Sequence, residues 1–361
     1  MLFISGFCSL ATAGHAEYRI PAARVDQRVE LMSIVFRLAG SKEYNTTENV
    51  KYVTEIHLHF DKFINHPLIL FAKKLVGSNN IGYDAVMSMA VNLNMPPSLE
   101  PIAPFSKQII DSRWSVGDAE RFVHLLKQFY KDSSFDIFFR THAAEYTIAE
   151  RRFEVLSKKV DLRWYYDFFG ENNVNSFQIM IGFGNGRGNY GLHKNCDSKR
   201  MDVYAIIGCA FFDHSGRPVY DSSAYLATLL HEFNHSYIND LLIRYKKRFD
   251  TAGQILFREQ AIKMHQQAYM DEQTMMNEAL VRAVVIRYFS SHAATSGEIA
   301  DNELKLQFAN GFVWMDSLVK LLEVYENERS EYPTLESFIP KIAEYYKHLT
   351  LKIERSNTDA Q

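Results

Sequence analysis

Cysteines, long basic runs and long apolar segments are all scarce in this sequence. Three cysteines among 361 residues are too few for a disulfide-built scaffold. Cys196 and Cys209 could pair in an exported protein or could both be buried thiols, and neither has the close Cys or His spacing of a metal site. The net charge of −3 favours no nucleic-acid partner. Beyond the amino terminus no run reaches about 18 apolar residues, so we predict no membrane span.

The amino-terminal segment, MLFISGFCSLATAGHAEY, is an apolar run followed by small residues. Ala11-Thr12-Ala13 fits the small-x-small pattern that precedes signal-peptide cleavage, and Gly14-His15-Ala16 is a second option. No Lys or Arg precedes the apolar run, so a buried strand is the alternative interpretation. We predict a signal peptide over residues 1–16 and export to the periplasm or the extracellular space.

Helical spacing of apolar residues dominates most of the rest of the chain. It runs from about residue 25 to 160, where VDQRVELMSIVFRLAG ends at Gly40, a natural helix C-cap. It returns at DSSAYLATLLHEFNHSYINDLLIRYKKRF and persists almost to the end. Between these regions, SFQIMIGFGNGRGNYG and DVYAIIGCAFFD predict two or three strands. The glycines from Gly182 to Gly191 lack the following helix of a phosphate-binding loop, so we interpret them as a flexible hairpin.

The stretch HEFNH, residues 231–235, carries the clearest chemical signal. Residues i and i+4 share one face of a helix, so the imidazoles of His231 and His235 could bind one Zn²⁺. Glu232 is offset around the helix, where it could take a proton from a metal-activated water and pass it to the leaving group. An HExxH arises by chance with a probability on the order of a few per cent. The context supports the motif, because apolar residues at Leu226, Leu229, Leu230, Phe233 and Ile238 predict a long, partly buried helix.

Two histidines do not complete a catalytic zinc site, which needs a third protein ligand and an open position for water. A third histidine six residues after His235 is excluded because position 241 is Leu. The remaining candidates are Glu259, Glu272, Glu278, His265 and Asp250.

Glu278 is the predicted third ligand. It lies in MMNEALVRAVV, where apolar neighbours on both sides indicate a buried helix and a buried carboxylate needs a partner. The alternative is an ion pair with Arg282, one helical turn further on. Glu259 lies in LFREQAIK, which is more polar and is predicted to be solvated.

HEFNH followed by NEALVRA resembles the gluzincin group of zinc metallopeptidases. In that group the Glu of an Asn-Glu-Ala or Asn-Glu-Gly step is the third ligand, which implies His231, His235 and Glu278 as ligands and Glu232 as the base. Glu278 comes 43 residues after His235, more than in thermolysin-like enzymes, and a further helix around AGQILFREQAIKMHQQAYM would fill the interval. Arg282 stands where gluzincins often carry an acid, so a thermolysin-like environment of the ligand is not implied.

The chain is also similar to an uncharacterised family of exported, mostly Bacteroidetes proteins with a domain of unknown function. VELMSIVFRLAGSKEYN, YDAVMSMAVNL and LLHEFNHSYIN carry this likeness. The resemblances together imply a predominantly helical α+β fold with a zincin-like core, in which a small mixed sheet packs on the HExxH helix. The predicted organisation is a signal peptide at 1–16, a helical region at 17–160, a catalytic core at 161–295 and a helical region at 296–361.

Other gluzincins stabilise the oxyanion with a downstream Tyr or His, and Tyr288, His292 and His265 are the candidates here. Each could equally be a structural or surface residue. Zincins commonly pair an extended peptide with an edge strand, and Val203 to Phe211 is the candidate strand, with a plain core strand as the alternative.

The predicted function is hydrolysis of peptide bonds in a peptide or protein substrate, with one Zn²⁺ per chain and Glu232 as general base. The first alternative is a non-catalytic zincin-like module that binds zinc or protein. The second is a structural helical protein with a chance motif, which would bind no stoichiometric zinc.

Overall fold

The structure is a computed structural model that describes residues 20–170, 174–195, 201–220 and 222–359. The predicted signal peptide and Cys196 lie outside the described residues. The described chain divides into two compact units. Unit 1 comprises residues 20–160 and 174–232, and unit 2 comprises residues 161–170 and 233–359. The predicted domain limits stay predictions, because compactness alone does not define a domain that folds by itself.

Unit 1 contains seven described helices and one small sheet. The helices are α1 (Gln27–Leu38), α2 (Val50–Phe60), α3 (Pro67–Asn79), α4 (Asp84–Val91), α5 (Val116–Asp132), α6 (Phe135–Thr141) and α7 (Ala143–Ser157). The strands are β1 (Arg24–Val25), β2 (Val174–Gly182), β3 (Tyr190–Asn195) and β4 (Met201–Gly208).

Unit 2 is helical throughout its described residues. Its helices are α8 (Leu162–Phe169), α10 (Asp250–Gln266), α11 (Glu272–Ser291), α12 (Ala293–Ala309), α13 (Met315–Asn327) and α14 (Leu335–Asp359). Helix α9 (Ser222–Arg244) belongs to both units, because the division falls between Glu232 and Phe233. The predicted helix around AGQILFREQAIKMHQQAYM is confirmed as α10. In the described part of the chain, no helix has the length and apolar character needed to cross a membrane.

Helix α1 shows how local sequence sets an element. Asp26 is the N-cap, and its side chain accepts hydrogen bonds from the backbone N–H of Arg28 and Val29. At the other end Gly40 takes the left-handed conformation, with φ of 85°. The N–H groups of Gly40 and Ser41 then donate to carbonyls of the last turn, at 2.9 and 3.0 Å. The helix end predicted at Gly40 is confirmed, with Ala39 as the C-cap and Gly40 directly after it.

The four-stranded sheet has the order β1-β2-β4-β3. β1 and β2 are parallel, β2 and β4 are parallel, and β3 runs antiparallel to β4. Every residue of β4 is buried, and β4 lies between two strands. The prediction of an edge strand from Val203 to Phe211 is therefore wrong. A mixed sheet in a mainly helical α+β chain, with three strands after residue 161, is confirmed.

The glycine-rich segment is a crossover that is buried over residues 183–186, and not the flexible hairpin that the sequence suggested. β2 and β3 lie on opposite sides of β4, so residues 183–189 must cross the carboxyl end of β4. The N–H of Gly208 donates to Asn189 Oδ1 at 3.0 Å. A Cβ on Gly208 would lie 2.3 Å from the carbonyl oxygen of Gly186, so only glycine fits this crossing.

A buried carboxylate anchors the start of this crossover. Glu30 of α1 is fully buried, and its Oε1 accepts hydrogen bonds from the N–H groups of Phe183 and Gly184 at 2.6 and 3.3 Å. The hydroxyl of Tyr52 donates to Oε2 at 2.7 Å and lies 2.7 Å from the hydroxyl of Tyr146. Burial raises the pKa of Glu30 to about 7, against the opposing effect of these hydrogen bonds.

This pKa leads to a pH-dependent prediction for Glu30→Gln. A carboxyl group whose folded pKa exceeds its unfolded value holds its proton more tightly in the folded state, so it costs stability as the pH rises from about 4.5 to about 7. We expect the variant to match wild type near pH 4.5 and to have a higher free energy of unfolding, by roughly 3 kcal/mol, at pH 8. Urea unfolding of both proteins at the two pH values measures this. A difference that does not change with pH would contradict a protonated Glu30.

Candidate metal centre

Helix α9 presents both histidines of HEFNH from a largely buried element. Leu229, Leu230, Phe233 and Ile238 are fully buried and hold the helix in place. His231 and His235 are one turn apart and are both partly exposed.

Glu278 of α11 joins the two histidines. One potential ligand atom from each of His231, His235 and Glu278 lies within 4.8 Å of the other two, the only such group among the described residues. His235 Nε2 and Glu278 Oε1 are 3.5 Å apart. Zinc binds nitrogen and oxygen ligands at about 2.0–2.1 Å, so neighbouring ligand atoms of a tetrahedral site lie about 3.3–3.4 Å apart. The spacing of this pair therefore fits a zinc ion.

The ring of His235 is oriented by a neighbour on its own helix. Its Nδ1 lies 3.0 Å from Asn239 Oδ1, one turn further on. A hydrogen bond from Nδ1 to this amide oxygen would orient the ring with Nε2 on the side of Glu278. Asn239 was missed in the sequence analysis, although its i+4 spacing from His235 was a usable signal.

Glu278 is 8% exposed, and its carboxylate has different partners on its two oxygens. The hydroxyl of Tyr269 donates to Oε2 at 2.9 Å and Arg282 Nε donates to the same oxygen at 3.1 Å, while Arg282 Nη2 lies 3.0 Å from it in an ion pair. The ion pair with Arg282 that competed with the ligand interpretation is therefore present. It leaves Oε1 directed at His235, so the two interpretations of Glu278 are compatible.

Glu232 is buried beside strand β3. A Cβ on Gly191 of β3 would lie 2.0 Å from the backbone carbonyl oxygen of Glu232 and 3.0 Å from its Cα. Burial raises the pKa of Tyr190 in the same strand, and the carboxylates of Glu43, Asp84 and Glu232 add to that rise. Strand β3 therefore contacts the backbone of α9 at Glu232, the predicted base. Only glycine at position 191 permits so close an approach. A sheet packed on the HExxH helix was predicted.

The remaining predicted site residues lie outside this cluster. Tyr288 accepts a hydrogen bond from the N–H of Asp161 at 2.7 Å, and His292 Nε2 lies 3.3 Å from Asp161 Oδ2. Tyr288 follows Glu278 by ten residues on α11, which corresponds to roughly 15 Å along the helix axis. His265 is exposed, with its ring 5.6 Å from that of Phe257. An oxyanion-stabilising role for Tyr288, His292 or His265 stays a prediction.

The alternative third ligands have other surroundings. Glu259 is exposed on α10, as its polar neighbours predicted. Glu272 is partly buried and packs its side chain against Gly253, and Asp250 begins α10. Cys209 is a buried free thiol 3.0 Å from the hydroxyl of Tyr220, and burial raises its pKa to about 12. A thiol held neutral in this way is no candidate nucleophile or metal ligand.

Comparison with known proteins gives a family but no activity. The profile of a family described as "Domain of unknown function (DUF4932)" matches residues 22–345. No curated protein and no solved structure matches the chain.

Proposed function

This chain belongs to the DUF4932 family, whose function is unknown, and we propose that it is a zinc-dependent peptidase. The observation that carries the proposal is the convergence of His231, His235 and Glu278, with Glu232 next to the first histidine on α9. A His₂Glu donor set on two helices is one of the ligand sets of catalytic zinc, and it leaves a coordination position open. The gluzincin likeness of HEFNH and NEALVRA supports the same conclusion.

The chain's own residues account for the proton transfers of peptide hydrolysis. His231, His235 and Glu278 would hold the ion, which supplies Lewis acidity and lowers the pKa of water to about 7. Glu232 takes a proton from the attacking water and delivers it to the leaving amine nitrogen as the peptide bond breaks. Its low exposure, 7%, excludes bulk water that would compete in both transfers.

Strand β3 is the part of the sheet best placed to bind an extended substrate. It is the last strand in the described sheet order, and its Gly191 lies against the backbone of Glu232. A peptide aligned with β3 would therefore run past the base. This assignment replaces the one made from the sequence, because the strand proposed there lies inside the sheet.

Metal analysis tests the proposal directly. After dialysis against a weak chelator, we expect wild type to hold one zinc ion per chain and Glu278→Ala to lose it, because two histidines alone bind zinc weakly. The zinc-loaded wild type should then hydrolyse unstructured peptides, and removal of zinc should stop the reaction. Negligible zinc in wild type would contradict the proposal. Equal zinc in both proteins would retain the histidines and reject Glu278 as the third ligand.

A further inference from the structure

Tyr269 and Arg282 both contact one oxygen of the Glu278 carboxylate, Oε2. Oε2 accepts hydrogen bonds from the Tyr269 hydroxyl and from Arg282 Nε and lies 3.0 Å from Arg282 Nη2, whereas Oε1 lies 3.5 Å from His235 Nε2. Tyr269 and Arg282 also bind each other, since Arg282 Nη2 donates to the tyrosine hydroxyl at 2.6 Å. The result is a closed triangle of hydrogen bonds behind the carboxylate.

Both donors of the triangle are themselves held in place. Just beyond the end of helix α10, Ala268 takes the left-handed conformation, φ of 63°, and the N–H of Tyr269 donates to the carbonyl of Met264 at 3.0 Å. This turn directs Tyr269 towards α11. Arg282 Nη1 donates to Gln307 Oε1 at 2.8 Å, and its guanidinium lies 5.4 Å from the centre of the Phe312 ring.

We propose that Tyr269 and Arg282 are positioning residues that hold Glu278 as a one-oxygen metal ligand and keep it in place before the metal binds. The inference rests on the proposed function only in taking Glu278 as a zinc ligand. A buried carboxylate without a partner is costly, and the ion pair with Arg282 satisfies it when no metal is present. The metal-free protein therefore keeps its fold and its ligand geometry, and zinc binding displaces neither partner.

The charge of Arg282 has a second effect, which decides how the proposal must be tested. A guanidinium near the site repels a divalent cation, so deleting the charge would strengthen zinc binding while loss of orientation would weaken it. Substitutions that keep the charge constant separate the two effects. Arg282→Lys keeps the charge but loses the forked donor geometry, and Tyr269→Phe removes one donor without any change of charge.

Zinc affinity and the spectrum of the cobalt-substituted protein provide the test. We expect both variants to bind zinc about tenfold more weakly than wild type in competition with a chromophoric chelator. With Oε2 released, Glu278 can bind through both oxygens, so we expect the visible absorption of bound Co²⁺ to weaken as the coordination number rises. Matched controls are Arg287→Lys, which alters an arginine–glutamate pair further along α11, and Tyr345→Phe. Neither control should change affinity or spectrum.

Each result distinguishes this inference from the proposed function. Wild-type affinity and spectrum in both variants would overturn the positioning role and leave the peptidase proposal standing. No zinc binding by wild type would overturn both. Unfolding of wild type on chelation, followed by circular dichroism, would contradict a preformed site. If Arg282→Lys fails to fold, Tyr269→Phe decides the matter alone, since it removes a single hydroxyl from a partly exposed ring.

Discussion

Replacing Glu232 with glutamine is expected to lower peptide hydrolysis by 10²- to 10⁴-fold while zinc stays at one ion per chain. The amide of glutamine has nearly the shape of the carboxylate but cannot accept a proton from water, so the substitution removes general-base catalysis, whose contribution is of that order. Glu232 is offset from the ligand face of α9, so the two histidines keep their positions. The measurement is kcat on an unstructured peptide, together with metal content of the same preparation.

A control for this experiment lies on the same helix. Asp240 is exposed on α9, about two turns beyond Glu232, and Asp240→Asn removes a carboxylate that is not one of the three cluster residues. It should hydrolyse peptide at the wild-type rate. Full activity in Glu232→Gln would show that another group is the base. Stoichiometric zinc in wild type with no hydrolysis of any peptide would favour the alternative, a zinc-binding or protein-binding module without catalysis.

The second large effect is expected from Gly191→Ala. The added methyl carbon would lie 2.0 Å from the carbonyl oxygen of Glu232, and its other near neighbours are also backbone atoms, so no side chain can rotate away. Strand β3 and helix α9 would have to separate, at a cost of about 3 kcal/mol in the free energy of unfolding. The same movement would displace the base from the cluster, so we also expect hydrolysis to fall in the fraction that stays folded.

Gly117→Ala is the matched control for this substitution. Gly117 lies near the start of α5 with no atom near the position of an added Cβ, so its unfolding free energy should stay within about 1 kcal/mol of wild type. Chemical unfolding of the three proteins gives the comparison. If Gly191→Ala is as stable as Gly117→Ala, the close approach of β3 to α9 is incorrect, and with it the placement of a substrate along β3.

Local spacing was sufficient to identify most of the cluster from the sequence. His231 and His235 share a face because of the period of a helix, whatever surrounds it. Glu278 stood out because apolar neighbours on both sides predicted burial, and it is buried. The contact of Asn239 with His235 could have been predicted by the same i+4 argument. The contact of Tyr269 with Glu278 could not, because Tyr269 precedes α11 and no periodic pattern relates the two residues.

Strand order was beyond the reach of local patterns. A fully buried strand and an edge strand can both be apolar runs, so β4 was mistaken for an edge. The glycines of residues 182–191 predicted flexibility because glycine permits it, but here they allow close backbone crossings. Glu30 lies among apolar residues in α1. Nothing in that pattern predicts that its carboxyl group accepts hydrogen bonds from the backbone N–H groups of Phe183 and Gly184, which lie 153 and 154 residues further along the chain.

The sequence by itself determined that this protein is mainly helical, that a small set of strands follows residue 161, and that His231 and His235 share one face of a helix, with Glu278 as a predicted buried partner. These features depend on interactions within one or two turns of a helix, or on composition over short runs. Only the tertiary structure decided which strand lies beside Glu232, which oxygen of Glu278 is directed at His235, and that Tyr269 and Arg282 occupy the other. Those features depend on contacts between segments that are remote in the chain, and no local period encodes such contacts.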